Sequence, residues 1–169
     1  MNTFETILTR RSVRAYQDKP VPAELIDKLL QAAMQAPSAG NAQPWHFVVV
    51  TDKKVLAEIP TVHPYGQMIA NAPVAIVICA DTSLEKHPGC WMLDCSAAAE
   101  NLLLAAHDLS LGGVWTAVYP FEEVIKGIKK ILSLPKGVIP HSVIPLGYPA
   151  HSYNPKSYYQ KERIHRDKW

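Results

Sequence analysis

Apolar positions along this chain switch between two spacings, one helical and one of strand type, several times from end to end. Asn2-Thr3-Phe4-Glu5 has the form of a capping box, and Phe4, Ile7 and Leu8 then share one helical face, which predicts a short helix ending near Arg10. Val21-Pro22-Ala23-Glu24 puts proline at a first helical position, and Ile26, Leu29, Leu30 and Ala33 follow at helical spacing until Pro37 stops the pattern. The runs WHFVVVT (45–51) and VAIVICA (74–80) are β-branched and apolar without alternation, so both are expected as central strands covered on two faces. Short helices are predicted between them, over 53–59 and 66–70.

The stretch from Cys90 to Leu109 is apolar around nearly its whole circumference from Ser96 onward, so it needs cover on several sides. It is either the central helix of the domain or half of a subunit interface. Gly112-Gly113 closes it; a third strand over 114–119, a helix over 121–132 and a fourth strand over 142–146 complete the series. Such alternation predicts an α/β or α+β domain with covered sheet faces. From Gly147 onward the periodicity stops, and residues 148–169 form a polar, aromatic tail expected to lie along a surface, including that of another subunit. With no internal repeat and no second boundary, 1–169 reads as one domain.

Composition narrows the classes. The 169 residues, 48% hydrophobic and 19% charged, suit a soluble globular domain, and no apolar stretch approaches the ~20 residues of a membrane span. No membrane partner is expected, and without a secretion signal the default location is the cytoplasm. A net charge of +2 from dispersed basic residues argues against a nucleic-acid surface. Three cysteines suggest reduced core thiols; His87, Cys90, Cys95 and His107 lack the paired spacing of a zinc or iron–sulfur site, so no metal is expected. Cys90, near a helix start, has a second reading as a redox-sensitive thiol, and His46 belongs to the sheet.

Two segments carry candidate chemistry. In RRSVRAY (10–16) three arginines surround one serine at the end of a helix, where they either pair with terminal carbonyls or converge on a phosphate monoester. A second basic group, Lys161, Arg163, His165 and Arg166, lies at the far end of the chain. The segment QAPSAGNAQPWHF (35–47) packs Ser38, Asn41 and Gln43 into a small-residue turn before a strand, either as backbone-bonding loop residues or as donors and acceptors for a flat heteroaromatic ring.

RRSVRAY, APSAGNAQPWHF, SLGGVWT, IPLGYP and KERIHRDKW, in this order along nearly the whole chain, together resemble the FMN-dependent nitroreductase family, in particular its compact members. The resemblance implies an α+β sandwich with a central mixed sheet flanked by helices, assembled as an intertwined homodimer with FMN at the subunit interface. It implies that Arg10, Ser12 and Arg14 hold the FMN phosphate and ribityl chain, with Arg11 nearby and Arg163 completing the phosphate site. Pro37, Ser38, Asn41 and Gln43 are expected by the flavin, partly from the second subunit; Gly113, Trp115 and Thr116 near its N5 edge; and Gln67 as a further contact. The activity it implies is ping-pong hydride transfer from NAD(P)H through flavin N5 to a nitroaromatic, quinone or similar small acceptor, with no side chain as acid or base. A flavin-fragmenting or dehalogenating enzyme of the same fold, a non-catalytic flavin carrier and a cofactor-free dimer are the alternatives.

Overall fold

A computed structural model describes residues 1–169. Helix α1 (Thr3–Thr9) starts as the capping box predicts, the Glu5 N–H donating to Asn2 Oδ1 at 2.9 Å. Helix α2 (Ala23–Met34) leads through the 35–44 loop into β1 (Trp45–Val50), followed by α3 (Lys53–Val62), β2 (Val74–Asp81) and α4 (Trp91–Asp108). The short strands β3 (Gly112–Gly113) and β4 (Thr116–Ala117), helix α5 (Glu122–Ile131) and β5 (Val138–Gly147) complete the domain. No helix is long and apolar enough to cross a membrane.

The sheet runs β1-β2-β5-β3, with β4 also on β5. A mixed sheet is expected from the resemblance; every pairing between these strands is antiparallel, and the parallel component is one bridge from Ser12 to Gly113. β2 is buried along nearly its whole length, as its unbroken apolar run requires. Its side chains divide by strand period: Ile76, Ile78 and Ala80 join α2 and α4 in one core, while Ala75, Val77 and Cys79 join α3 and α5 in the other. The architecture is therefore the expected α+β sandwich, with helices over both faces of one sheet.

Several sequence expectations need correction. β1 is an edge strand, paired only with β2, and leaves His46 and Val49 exposed, so its apolar run does not signal double cover. The predicted strand over 114–119 splits into β3 and β4, and the gap falls opposite Ile144 and Pro145, the latter without an N–H to donate. The helix expected over 53–59 continues through Pro60 to Val62, and 67–71 is a 3-10 turn. The fourth strand is ten residues long rather than five, because a bulge absorbs its first proline: Ile78 pairs with Ser142 and Cys79 with Pro140, leaving His141 as the extra residue.

That bulge turns His141 inward. Its ring nitrogens lie 3.2 Å from Ser96 Oγ and 3.1 Å from Ser142 Oγ, and burial drives its pKa from 6.5 down to about 4. Between those two values the unfolded chain binds a proton that the folded chain does not, so stability rises with pH across the window and is lost as pH falls through it. The loss reaches on the order of 3 kcal/mol below pH 4. In urea melts from pH 7 to 4, His141→Gln should flatten the slope, leaving the same-sign part due to His63 and His107, whose pKa values burial also lowers. An unchanged slope would remove His141 from the acid response.

Candidate functional site

After α1 the chain straightens and joins the sheet. The Val13 N–H donates to the Gly113 carbonyl at 2.9 Å, the Gln17 N–H to Tyr148 O at 2.8 Å, and the Ala150 N–H back to Ala15 O at 3.0 Å. RRSVRAY thus runs as an added strand beside β3 and the end of β5. Val13 points into the protein, 5% exposed, while Ser12 is half-buried and Arg14 exposed. Strand alternation places the serine and Arg14 on the outward side.

Two neighbouring cavities meet at Arg14. One, of about 390 Å³, is mostly apolar and includes Val114, Trp115 and Thr116 in its wall. The other, of about 550 Å³, is polar and is lined by Arg11, Ser12 and residues of the tail such as Asn154 and Lys156. Arg14 lines both. A polar, cationic compartment joined to an apolar one suits a ligand with an anionic end and a flat ring, so the donor set fits FMN.

The expected site residues separate into groups. Arg10 lines neither cavity; its Nε lies 3.3 Å from Glu100 Oε1. Arg11 holds the tail: its guanidinium donates to the carbonyls of Leu8, Asn154 and Lys156 and lies over the Tyr158 ring. Thr116 Oγ1 donates to Val143 O at 2.7 Å, so it is the wall that it builds, not its hydroxyl, that faces the cavity. Gln67 is exposed at the start of its 3-10 turn, beside Met68, which lines the apolar cavity where Gln67 does not. Arg163 stands in a 3-10 turn of the exposed tail and lines neither cavity.

His63, Tyr65, Met68 and Phe121 also line the apolar cavity, which no sequence motif anticipates. They come from the end of α3, the 67–71 turn and the start of α5, where Gln67 is the one residue expected to reach the ligand and the aromatic flanks Tyr65 and Phe121 are the remaining signal. His63 is 2% exposed and neither ring nitrogen has a hydrogen-bond partner. Burial lowers its pKa, opposed by its own carbonyl and that of Ala117.

The 37–43 loop lies at the other edge of the sheet, before β1. Gly40, Asn41 and Gln43 take left-handed φ values of 60°, 53° and 48°, and the Gln43 N–H donates to Ser38 Oγ at 3.0 Å. Pro37, Asn41 and Gln43 are exposed, and none of the loop lines either Arg14 cavity. Within one chain, the loop and the arginine strand are not brought together.

The nitroreductase family model matches residues 7–63 and 57–148. Over 169 residues, all of this chain and 88% of the relative, the sequence is 56% identical to a protein of Methanothermobacter thermautotrophicus named, by inference, NADH dehydrogenase/NAD(P)H nitroreductase. An FMN-dependent nitroreductase of Clostridium difficile R20291 superposes with a TM-score of 0.91 at 31% identity, covering 98% of this chain and 99% of that one. A nitroreductase, so named by inference, of Desulfovibrio desulfuricans in complex with FMN superposes with a TM-score of 0.86 at 28% identity, covering 100% and 98%.

Proposed function

This chain belongs to the nitroreductase family, and from that premise we propose an FMN-dependent NAD(P)H oxidoreductase that reduces nitroaromatics, quinones or similar small acceptors in a ping-pong cycle. The observation that carries this reading is Arg14, exposed and shared between a cationic compartment and an apolar one. When bound, FMN supplies a ring that takes a hydride and hands it to a second molecule. The chain's own residues bind and shield. Ser12 and Arg14 offer a hydroxyl and a free guanidinium to the phosphate and ribityl side, while Val114 and Trp115 form an apolar wall that would exclude water from the ring. Trp115 is itself braced, its ring 5.3 Å from that of His141.

A second copy of the chain completes the site in this reading. Phe4, Ile7 and Leu8 of α1 are 52–71% exposed and Leu93 of α4 is 70% exposed, an apolar surface that a homodimer would cover. Residues 151–169 are exposed throughout; beyond the stretch that Arg11 holds, Arg163 would reach across it, and the 37–43 loop would arrive from the partner. Cys79 and Cys95 are buried thiols whose pKa values burial pushes up to about 12, which makes them inert core groups.

The test is the visible spectrum of the purified protein under anaerobic conditions. A yellow protein should bleach with NADH or NADPH and recover its colour on addition of a nitroaromatic or quinone. Flavin that stays oxidised would point to another donor or a carrier, and a protein that takes up no FMN would end the flavin reading.

A further inference from the structure

The residues around Asp94 explain how the 37–43 loop keeps its shape. Asp94 lies in the first turn of α4, 4% exposed, and its Oδ1 accepts the Ala39 N–H at 2.9 Å across 55 residues of chain. Its Oδ2 is buried without a partner. Asp94 sits at the N-terminal end of an 18-residue helix, and its side-chain oxygen gives the loop a buried acceptor whose loss would leave the Ala39 N–H unpaired. At the next residue, Lys86 Nζ donates to the Gly40 carbonyl at 2.8 Å. The loop backbone is thus held at two successive residues, while the exposed Asn41 and Gln43 take left-handed conformations that are uncommon outside glycine.

We propose that Asp94 is the positioning residue of the flavin-facing loop: by holding the Ala39 N–H it fixes the orientation in which Ser38, Asn41 and Gln43 meet FMN. This rests on the flavin reading above. Asp94 touches neither cofactor nor substrate in this role; it acts through the loop.

The experiment compares wild type, Asp94→Ala, Asp94→Asn and Ala39→Pro in FMN affinity, flavin midpoint potential and thermal stability. Asp94→Ala should raise the FMN Kd at least tenfold and move the potential. Asp94→Asn keeps an oxygen in the Oδ1 place and should stay within about threefold of wild type. Ala39→Pro removes the donor instead of the acceptor, and the extended Ser38 before it (φ −141°, ψ 151°) accommodates proline, so it should reproduce the loss without emptying the core should Asp94→Ala fail to fold. Variants that lose thermal stability yet bind FMN at wild-type affinity and potential would overturn the proposal and leave the flavin reading intact. An Asp94→Asn protein as impaired as Asp94→Ala would also overturn it. A wild-type chain that takes up no FMN would overturn both.

Discussion

Gly112→Ala is expected to lower the unfolding free energy by about 3 kcal/mol and to strip the protein of FMN affinity. A Cβ at position 112 would stand 2.5 Å from Val13 Cγ2, 2.7 Å from Val13 Cβ and 2.9 Å from Val13 Cγ1. Rotating the valine cannot relieve this, because its own Cβ is among the offending atoms. The alternative is for the 10–16 strand to lift from β3, which gives up the Val13 N–H to Gly113 bond and exposes a side chain now 5% exposed. Thermal unfolding should register a drop of roughly 6–12 °C for a domain of this size, with weakened FMN uptake in the same preparation. Val13→Ala in the same chain should fail to rescue it, since the Cβ contact remains. A Gly112→Ala protein as stable as wild type would mean that the strand has slack at this point.

Arg14→Ala should weaken FMN binding by about tenfold to a hundredfold, the usual range of a hydrogen bond to a charged group at ~1.5–3 kcal/mol, while leaving the apo protein's melting temperature unchanged. Arg14 makes no ion pair in the chain and lines both cavities, so its loss removes charge from the ligand and nothing from the fold. Arg10→Ala makes a useful contrast, because its guanidinium is engaged by Glu100 and lines neither cavity. Titration of FMN fluorescence against both variants separates the two arginines. Equal Kd values for wild type and Arg14→Ala would take Arg14 out of the binding site and with it the observation on which the functional reading stands.

The readable parts of the chain are those where one local rule decides the outcome. The Asn2 cap, the α2 face of Ile26, Leu29 and Ala33, and the fully buried β2 each follow from spacing that admits one burial pattern. β1 departs from its expected double cover because an apolar run of β-branched residues does not say whether a strand has one neighbour or two. The length of β5 is hidden in the sequence because Pro140, just before the expected 142–146 strand, argues against extending it, and only the bulge at His141 shows how that proline is tolerated. The site shows the same division. RRSVRAY and the Ser38–Gln43 loop stand out by composition, but His63 and Asp94 do not, since an isolated histidine or aspartate is usually a surface residue.

Sequence alone determined which candidate ligand-binding groups the chain carries and the order of its elements, because caps, periodicity and motif composition act over a few neighbouring residues. Tertiary structure decided which of those groups can act together. It placed Arg14 at the junction of two cavities and turned Arg10 to Glu100 and Arg11 to the tail. It also set Asp94 beneath a loop 55 residues earlier in the chain. Those outcomes depend on contacts between segments far apart in sequence, where side-chain reach, burial and the absence of a Cβ at Gly112 choose among arrangements that local propensity leaves equal.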